Sequence, residues 1–215
     1  MIVDTMTWEE VSKELGKSYN IVTGRHMAND KLLSKLMRAL VKKQISIGYY
    51  SKSIVVNFSN ITFLSSFRVE EGECYALHTC AMFTYRKSKC IALFIGTDDR
   101  KSKTVILTKH FLERYRERNN TQTNTFEDLA RFILLTETPA SMGVQKGYRG
   151  KAFALTTGIG LTESEHEDSA LVLNTYVHRS MLHGEQIDKY ENGLEIAALN
   201  NDIEYRKQFS EKFNI

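Results

Sequence analysis

The sequence predicts an α+β protein: a mainly antiparallel sheet, helices at both ends of the chain and a basic helix between them. Two N-terminal segments have apolar residues at helical spacing, whereas residues 44–107 contain short runs rich in β-branched and aromatic residues. The breaks between these runs are too short to hold crossover helices. Consecutive strands are therefore expected to pair antiparallel.

The N-terminal part is expected to form two helices. Thr7 and Glu10 match a capping box, and Gly16 is expected to end the first helix. Asn29 or Asp30 can cap a second helix that reaches about Lys43. Its apolar stripe is expected to face the core and consists of Leu32, Leu33, Leu36, Met37, Leu40 and Val41.

The remaining helices and strands are predicted from the same two signals, which are helical spacing of apolar residues and short runs rich in β-branched and aromatic residues. Five strands are predicted first, at Ser53–Phe58, Ile61–Phe67, Cys74–Tyr85, Cys90–Gly96 and Thr104–Leu107. A basic helix follows Thr108, and a second helix spans Thr125 to about Thr136. Two later strands and a C-terminal helical segment are predicted at Lys151–Thr157, Ser169–His178 and Gln186–Phe213.

The chain divides into three predicted segments that could also form a single domain. Residues 1–100 hold the N-terminal helices and the β meander, and residues 101–180 hold a candidate ribonuclease-like core. Residues 181–215 form the C-terminal helical segment. Oligomeric state does not follow from these features.

Composition and charge restrict the kind of partner. The 215 residues are 42% hydrophobic and 26% charged, as in ordinary soluble domains, and the net charge is only +3. Seven basic and two acidic residues lie between Arg100 and Arg118, so the positive charge is concentrated there. No apolar run approaches a membrane span, no secretory signal is visible, and there are three cysteines. These features predict a cytoplasmic protein without a membrane partner.

The basic helix carries the strongest chemical pattern. His110, Arg114 and Arg118 are four residues apart, so they share one face, while the apolar Phe111, Leu112 and Tyr115 share another. Imidazole can move protons near neutral pH, and guanidinium forks can hold phosphate oxygens. A more ordinary reading is that Glu113 and Glu117 pair with the arginines on a solvated helix.

The string ILTKHFLERYRERN, followed by a helix and by strands ending in LVLNTYVHR, resembles ribonuclease toxins of the barnase/colicin/RelE-like superfamily. It also resembles short relatives defined by a strand and then a His-x-x-x-Arg-x-x-x-Arg helix. The resemblance covers about residues 103–179. It implies RNA cleavage without a metal or another cofactor, in which the RNA 2′-hydroxyl attacks its own phosphate.

On this resemblance, His110 is the general acid/base, Arg114 and Arg118 clamp the phosphate, and Thr175 or Tyr176 positions it. The residues expected to contact nucleic acid are Lys101, Lys103, Lys109 and Arg116. RNA is the expected partner, and an active enzyme would also require an inhibitor protein. Judged alone, Thr175 is expected to make a hydrogen bond inside the sheet.

Two other readings stay open. The protein could be a non-enzymatic nucleic-acid-binding or protein-interaction domain, including one of mobile-element origin, whose helix only holds a phosphate backbone. It could also be a structural domain whose basic helix pairs with the acidic C-terminal segment. A metal site is not predicted, because Cys74, His78 and Cys80 lack a second cluster and the pair His178 and His183 lacks a motif acid.

Overall fold

The computed structural model describes residues 2–3, 5–21, 23, 30–45, 47–70, 73–85, 90–95, 103–136, 140–143, 152–162 and 170–195. The described helices are α1 (Trp8–Ile21), α2 (Lys31–Val41), α3 (Lys109–Arg118) and α4 (Phe126–Thr136), together with a helical stretch at residues 185–195. The described strands are β1 (Ile47–Val56), β2 (Ser59–Glu70), β3 (Glu73–Thr84), β4 (Ile91–Ile95), β5 (Lys103–Leu107), β6 (Ala140–Gly143), β7 (Ala152–Leu155), β8 (Gly158–Leu161), β9 (Ala170–Leu173) and β10 (Thr175–His178).

The described strands form two sheets, and the predicted α+β class is confirmed. The first sheet has the order β1-β2-β3-β4-β5-β9 and is antiparallel except for the parallel pair β5–β9. The second sheet is antiparallel and has the order β10-β8-β7-β6. Strand β9 brings part of the predicted segment 101–180 into the same sheet as the strands of segment 1–100.

Helices cover both faces of the first sheet because its strands alternate apolar residues to the two sides. On β5, Val105 and Leu107 belong to the core under α3 and α4. Ile106 belongs to the core under α1 and α2. A third, smaller core lies between the second sheet and residues 185–195, where Tyr190 is buried.

The predicted caps account for where several helices begin. The Thr7 N–H bonds to a carboxylate oxygen of Glu10 at 2.8 Å, and the Glu10 N–H bonds to Thr7 Oγ1 at 3.3 Å, which confirms the capping box. Asp30 caps α2 by accepting from the N–H groups of Leu32 and Leu33. The Asp128 N–H bonds to Thr125 Oγ1 at 3.1 Å at the start of α4.

The expectation that Gly16 ends the first helix was wrong, because α1 continues to Ile21. A Cβ at Gly16 would lie 3.0 Å from the ring of Phe94 on β4. The missing side chain lets α1 approach the sheet closely. This glycine therefore serves packing and not termination.

The first hairpin also differs from the prediction. The turn lies at Asn57 and Phe58, not at Ser59-Asn60, and β1 begins six residues earlier than predicted. Strands β6 and β8 were not predicted, since each has four residues and β8 contains two glycines. The single strand predicted at Ser169–His178 is divided at Asn174 between the two sheets.

Candidate nucleic-acid interface

Helix α3 is attached to the sheet at its first residue. Thr108 ends β5 and caps α3, because its Oγ1 accepts from the Phe111 N–H at 3.2 Å. The same oxygen lies 3.0 Å from the carbonyl of Leu173 and 3.1 Å from that of Asn174, and the Thr108 N–H bonds to Leu173 O at 3.2 Å. The helix therefore starts at the junction where the chain passes from β9 to β10.

The apolar face of α3 packs as the sequence predicted. Phe111, Leu112 and Tyr115 are at most 1% exposed. The Tyr115 ring centroid lies 4.8 Å from that of Tyr176 on β10, and the Phe111 ring meets Tyr176 edge-on at 6.1 Å. This packing holds α3 against β10 and turns the opposite side of the helix toward solvent.

The part of α3 outside the apolar face carries His110 and four basic side chains, of which Lys109 is exposed and the three arginines are half-buried. His110 is exposed at the start of the helix. Lys109 pairs with Glu113 at 3.3 Å, and Arg114 pairs with Glu117 at 3.0 Å. The alternative in which Glu113 and Glu117 pair with the arginines thus holds for Arg114 and Glu117, whereas Glu113 pairs with Lys109. Such exposed pairs contribute little to stability and exchange readily with solvent or a ligand.

Arg116 and Arg118 contact neutral groups instead of carboxylates in the described part of the chain. The Arg116 guanidinium lies 5.3 Å from the centre of the Phe126 ring on α4. Arg118 Nη1 donates a hydrogen bond to the backbone carbonyl of Tyr176. Neither contact cancels the positive charge, so four basic and two acidic side chains leave α3 with a net charge of +2.

The two predicted strand residues point to opposite sides of β10. The Tyr176 side chain faces α3 and is fully buried, and its hydroxyl donates to Thr157 Oγ1 at 2.9 Å and approaches Asn119 Oδ1 at 3.5 Å. Side chains alternate along a strand, so Thr175 points the other way, together with Val177, which packs on the third core. The structure therefore does not bring Thr175 or Tyr176 to the exposed surface that holds His110.

Other candidate residues lie wholly or partly outside the described part. This holds for Lys101 and for the side chains of Lys103, Cys74 and His78. Cys80 is described and fully buried, and its burial raises the pKa of the thiol well above the usual range. Among the described residues there is no group of three or more histidines, cysteines or acids arranged to hold a metal.

The polar contacts that attach α3 to the second sheet were not predicted from the sequence. Thr157, Asn119 and Thr108 join the helix to β10 and to the turn after β7. His178 caps the 3-10 turn Arg179–Met181, since its Nδ1 accepts from the Ser180 N–H at 3.2 Å. Isolated polar residues at strand ends were the available signal, but their partners are distant in sequence.

No family model, curated protein or solved structure was found to match the chain. None of the described helices has the length and apolar character needed to cross a bilayer. The functional interpretation therefore depends on the residues and geometry of α3.

Proposed function

We propose that the protein binds RNA through the solvent side of α3, where Arg114, Arg116 and Arg118 contact the phosphate backbone. The observation that carries this proposal is the packing of the helix. Its apolar face is buried and Thr108 holds its first turn, so the cationic side chains project from a rigid element. Guanidiniums held on such a helix lose less entropy on binding phosphate than guanidiniums on a mobile loop.

The contacts of these arginines are compatible with phosphate binding. The Tyr176 carbonyl occupies one of the five N–H donors of Arg118 and orients its guanidinium. Phe126 supports Arg116 in the same way from the side of α4. The proposed location is the cytoplasm, which the free thiol of Cys80 supports.

Salt-dependent binding tests this proposal. We expect the full-length protein to bind a fluorescent single-stranded RNA and to lose affinity steeply as salt is raised. Arg114→Ala should weaken binding and reduce the slope of log affinity against log salt by about 0.7, the value for one lost contact to a single strand. Lys13→Ala, which removes an exposed lysine of α1, is the matched control and should change neither quantity. Equal losses in both variants would contradict a specific role of α3.

A metal-independent endoribonuclease is the second candidate, favoured by the exposure of His110 one turn before Arg114. His110→Ala should then abolish cleavage while the RNA remains bound. The RNA products should end in 2′,3′-cyclic phosphates, and an RNA with 2′-deoxy sugars should remain intact. If the wild-type protein binds RNA without cutting it, the non-enzymatic reading of α3 is the correct one.

A further inference from the structure

The outer edge of the first sheet combines an open strand with an apolar groove. Within the described residues, β1 pairs with β2 alone, so its other side has no strand neighbour. Beside this edge lies a groove of about 370 Å³ between β1 and α2. The residues that line it are Leu32, Lys35, Leu36, Ala39, Tyr49, Tyr50 and Ser51. Leu32 is 66% and Tyr49 is 58% exposed, which is unusual for such large side chains.

The hairpin register identifies the backbone groups that face outward. Val56 and Ser59 close a two-residue turn, and such a closing pair is hydrogen-bonded in both directions. Hydrogen-bonded pairs then recur at every second residue, so the even-numbered residues of β1 bond to β2. The N–H and C=O groups of Tyr49, Ser51, Ser53 and Val55 consequently point away from the sheet.

The turn itself exposes a strained aromatic residue. Asn57 and Phe58 have φ values of 47° and 62°, and Phe58 is 90% exposed. Asparagine tolerates this conformation, but a bulky residue rarely adopts it, at a cost of about 1 kcal/mol or more. A large apolar side chain is therefore exposed at the hairpin end of the open strand β1.

The surroundings of the groove are basic. Lys31, Lys35 and Arg38 lie on α2, and Lys42 and Lys43 follow it, with no acidic residue between positions 31 and 45. The nearby Asp30 is already paired with Lys52. Within the described residues no carboxylate pairs with these five side chains, so the groove offers positive charge to an incoming chain.

We propose that an acidic, extended segment of a partner protein adds to β1 as a further strand. Its backbone would bond to the outward groups of Ser51 and Ser53. Every second side chain would face α2, where apolar ones would fill the groove against Leu32 and carboxylates would pair with Lys35 and the basic residues around it. The side chains between them would lie on the opposite face of the sheet, beside Tyr49. This site lies on the α2 side of the sheet, apart from α3, so it does not depend on the function proposed for that helix.

Other kinds of partner at this site would match fewer of the outward backbone groups of β1 and of the basic side chains beside it. A phosphate backbone has acceptors only and cannot bond the outward carbonyls of β1. A lipid surface would leave the same carbonyls and N–H groups without partners in an apolar medium. A second copy would bring two identical basic rims together, and like charges across an interface are costly.

Selection from a random library tests the proposal. Phage-displayed random decapeptides would be selected on the immobilised full-length protein, with an unrelated protein as the background. We expect the enriched peptides to have an excess of aspartate and glutamate and to carry apolar residues two positions apart. No enrichment above background, or enrichment of peptides with helical apolar spacing, would overturn the proposal.

The best selected peptide is then synthesised with a fluorophore and measured by anisotropy. Ser51→Pro removes an outward N–H without touching the bonds to β2, and should weaken binding at least about tenfold. Methylation of alternate peptide amides should do the same with the wild-type protein, so the result does not depend on the folding of a variant. Lys35→Glu should also weaken binding, whereas Lys13→Glu on α1 should not.

Three results would contradict strand addition. Peptide affinity could survive both N-methylation and Ser51→Pro. Wild-type protein could dimerise in sedimentation runs in a way that Ser51→Pro abolishes, which would assign the edge to a second copy. Binding to phosphatidylserine vesicles that Lys35→Glu abolishes, without peptide binding, would assign the groove to a lipid surface.

Discussion

Arg118 Nη1 donates a hydrogen bond to the backbone carbonyl of Tyr176, and this contact joins the last turn of α3 to β10. Thr108 makes the corresponding attachment at the first turn, through Leu173 and Asn174. The helix is thus held at both ends by the chain that passes from β9 to β10. Arg118 accordingly has two separable properties, a structural hydrogen bond and a charge that this bond leaves uncompensated.

Two substitutions at Arg118 should separate these properties. Arg118→Ala removes both, so we expect the free energy of unfolding to fall by about 1 kcal/mol and RNA affinity to fall several-fold. Arg118→Gln retains an N–H donor without the charge, so it should recover part of the stability but none of the affinity. Urea unfolding and fluorescence anisotropy measure the two quantities. Recovery of RNA affinity in Arg118→Gln would show that the charge is dispensable.

Tyr176→Phe should change stability and leave RNA binding intact. The phenol is buried, and its hydroxyl donates to Thr157 Oγ1 at 2.9 Å. Its removal takes this donor from the half-buried Thr157 hydroxyl, which costs about 1 kcal/mol in urea unfolding. A variant with normal stability but impaired RNA binding or cleavage would instead place this hydroxyl at the bound RNA.

Gly158→Ala should be strongly destabilising. A Cβ at this position would lie 2.2 Å from the backbone oxygen of Val177 and 2.7 Å from the Tyr176 hydroxyl. The paired backbone of β10 cannot move away without breaking its bonds to β8, so we expect a loss of about 3 kcal/mol. Gly160→Ala is the matched control on the same strand, because its Cβ would meet only flexible Leu173 methyl groups, at 3.2 Å and beyond, and the Phe111 ring. Thermal unfolding should show a much lower stability for Gly158→Ala than for Gly160→Ala. Equal losses of stability would show that the clash with the β10 backbone is not the cause.

The ion pair between Asp30 and Lys52 should make stability depend on pH under acidic conditions. The hydrogen bond from Lys52, followed by the N–H of Leu33, lowers the pKa of Asp30 from 3.8 to about 2. The carboxylate is favoured in the folded state, so its contribution is present above pH 4 and is lost as the pH falls toward about 2. Asp30→Asn should flatten this part of a stability-against-pH curve measured by urea unfolding. An unchanged curve would mean that Asp30 is not the group responsible.

Local signals made much of the fold predictable. A cap needs only residues within one turn, which is why Thr7, Asp30 and Thr125 could be identified from their neighbours in the chain. The apolar spacing of α3 likewise predicted the burial of Phe111 and Tyr115. The expectation that His110, Arg114 and Arg118 share one face of α3 was based on the same periodicity.

Long-range packing decided what the local pattern left open. Glycine is typical of a position just after a helix, yet Gly16 lies inside α1. The ring of Phe94 packs where a side chain at this position would be, which explains the glycine there. Residues 170–178 have one continuous β pattern, but Thr108 and Leu161 bond the chain around Asn174, where it passes from one sheet to the other. These partners are distant in the chain, so no local rule could supply them.

The candidate site shows the same division. The sequence determined that α3 has a buried apolar side and a side with His110, Arg114 and Arg118, because helical spacing alone fixes which residues share a face. Only the tertiary structure decided that Tyr176 faces this helix and Thr175 faces away from it. The physical reason is that strand periodicity separates neighbours onto two sides without saying which side is covered, and here the packing of Phe111 and Tyr115 on Tyr176 made that choice.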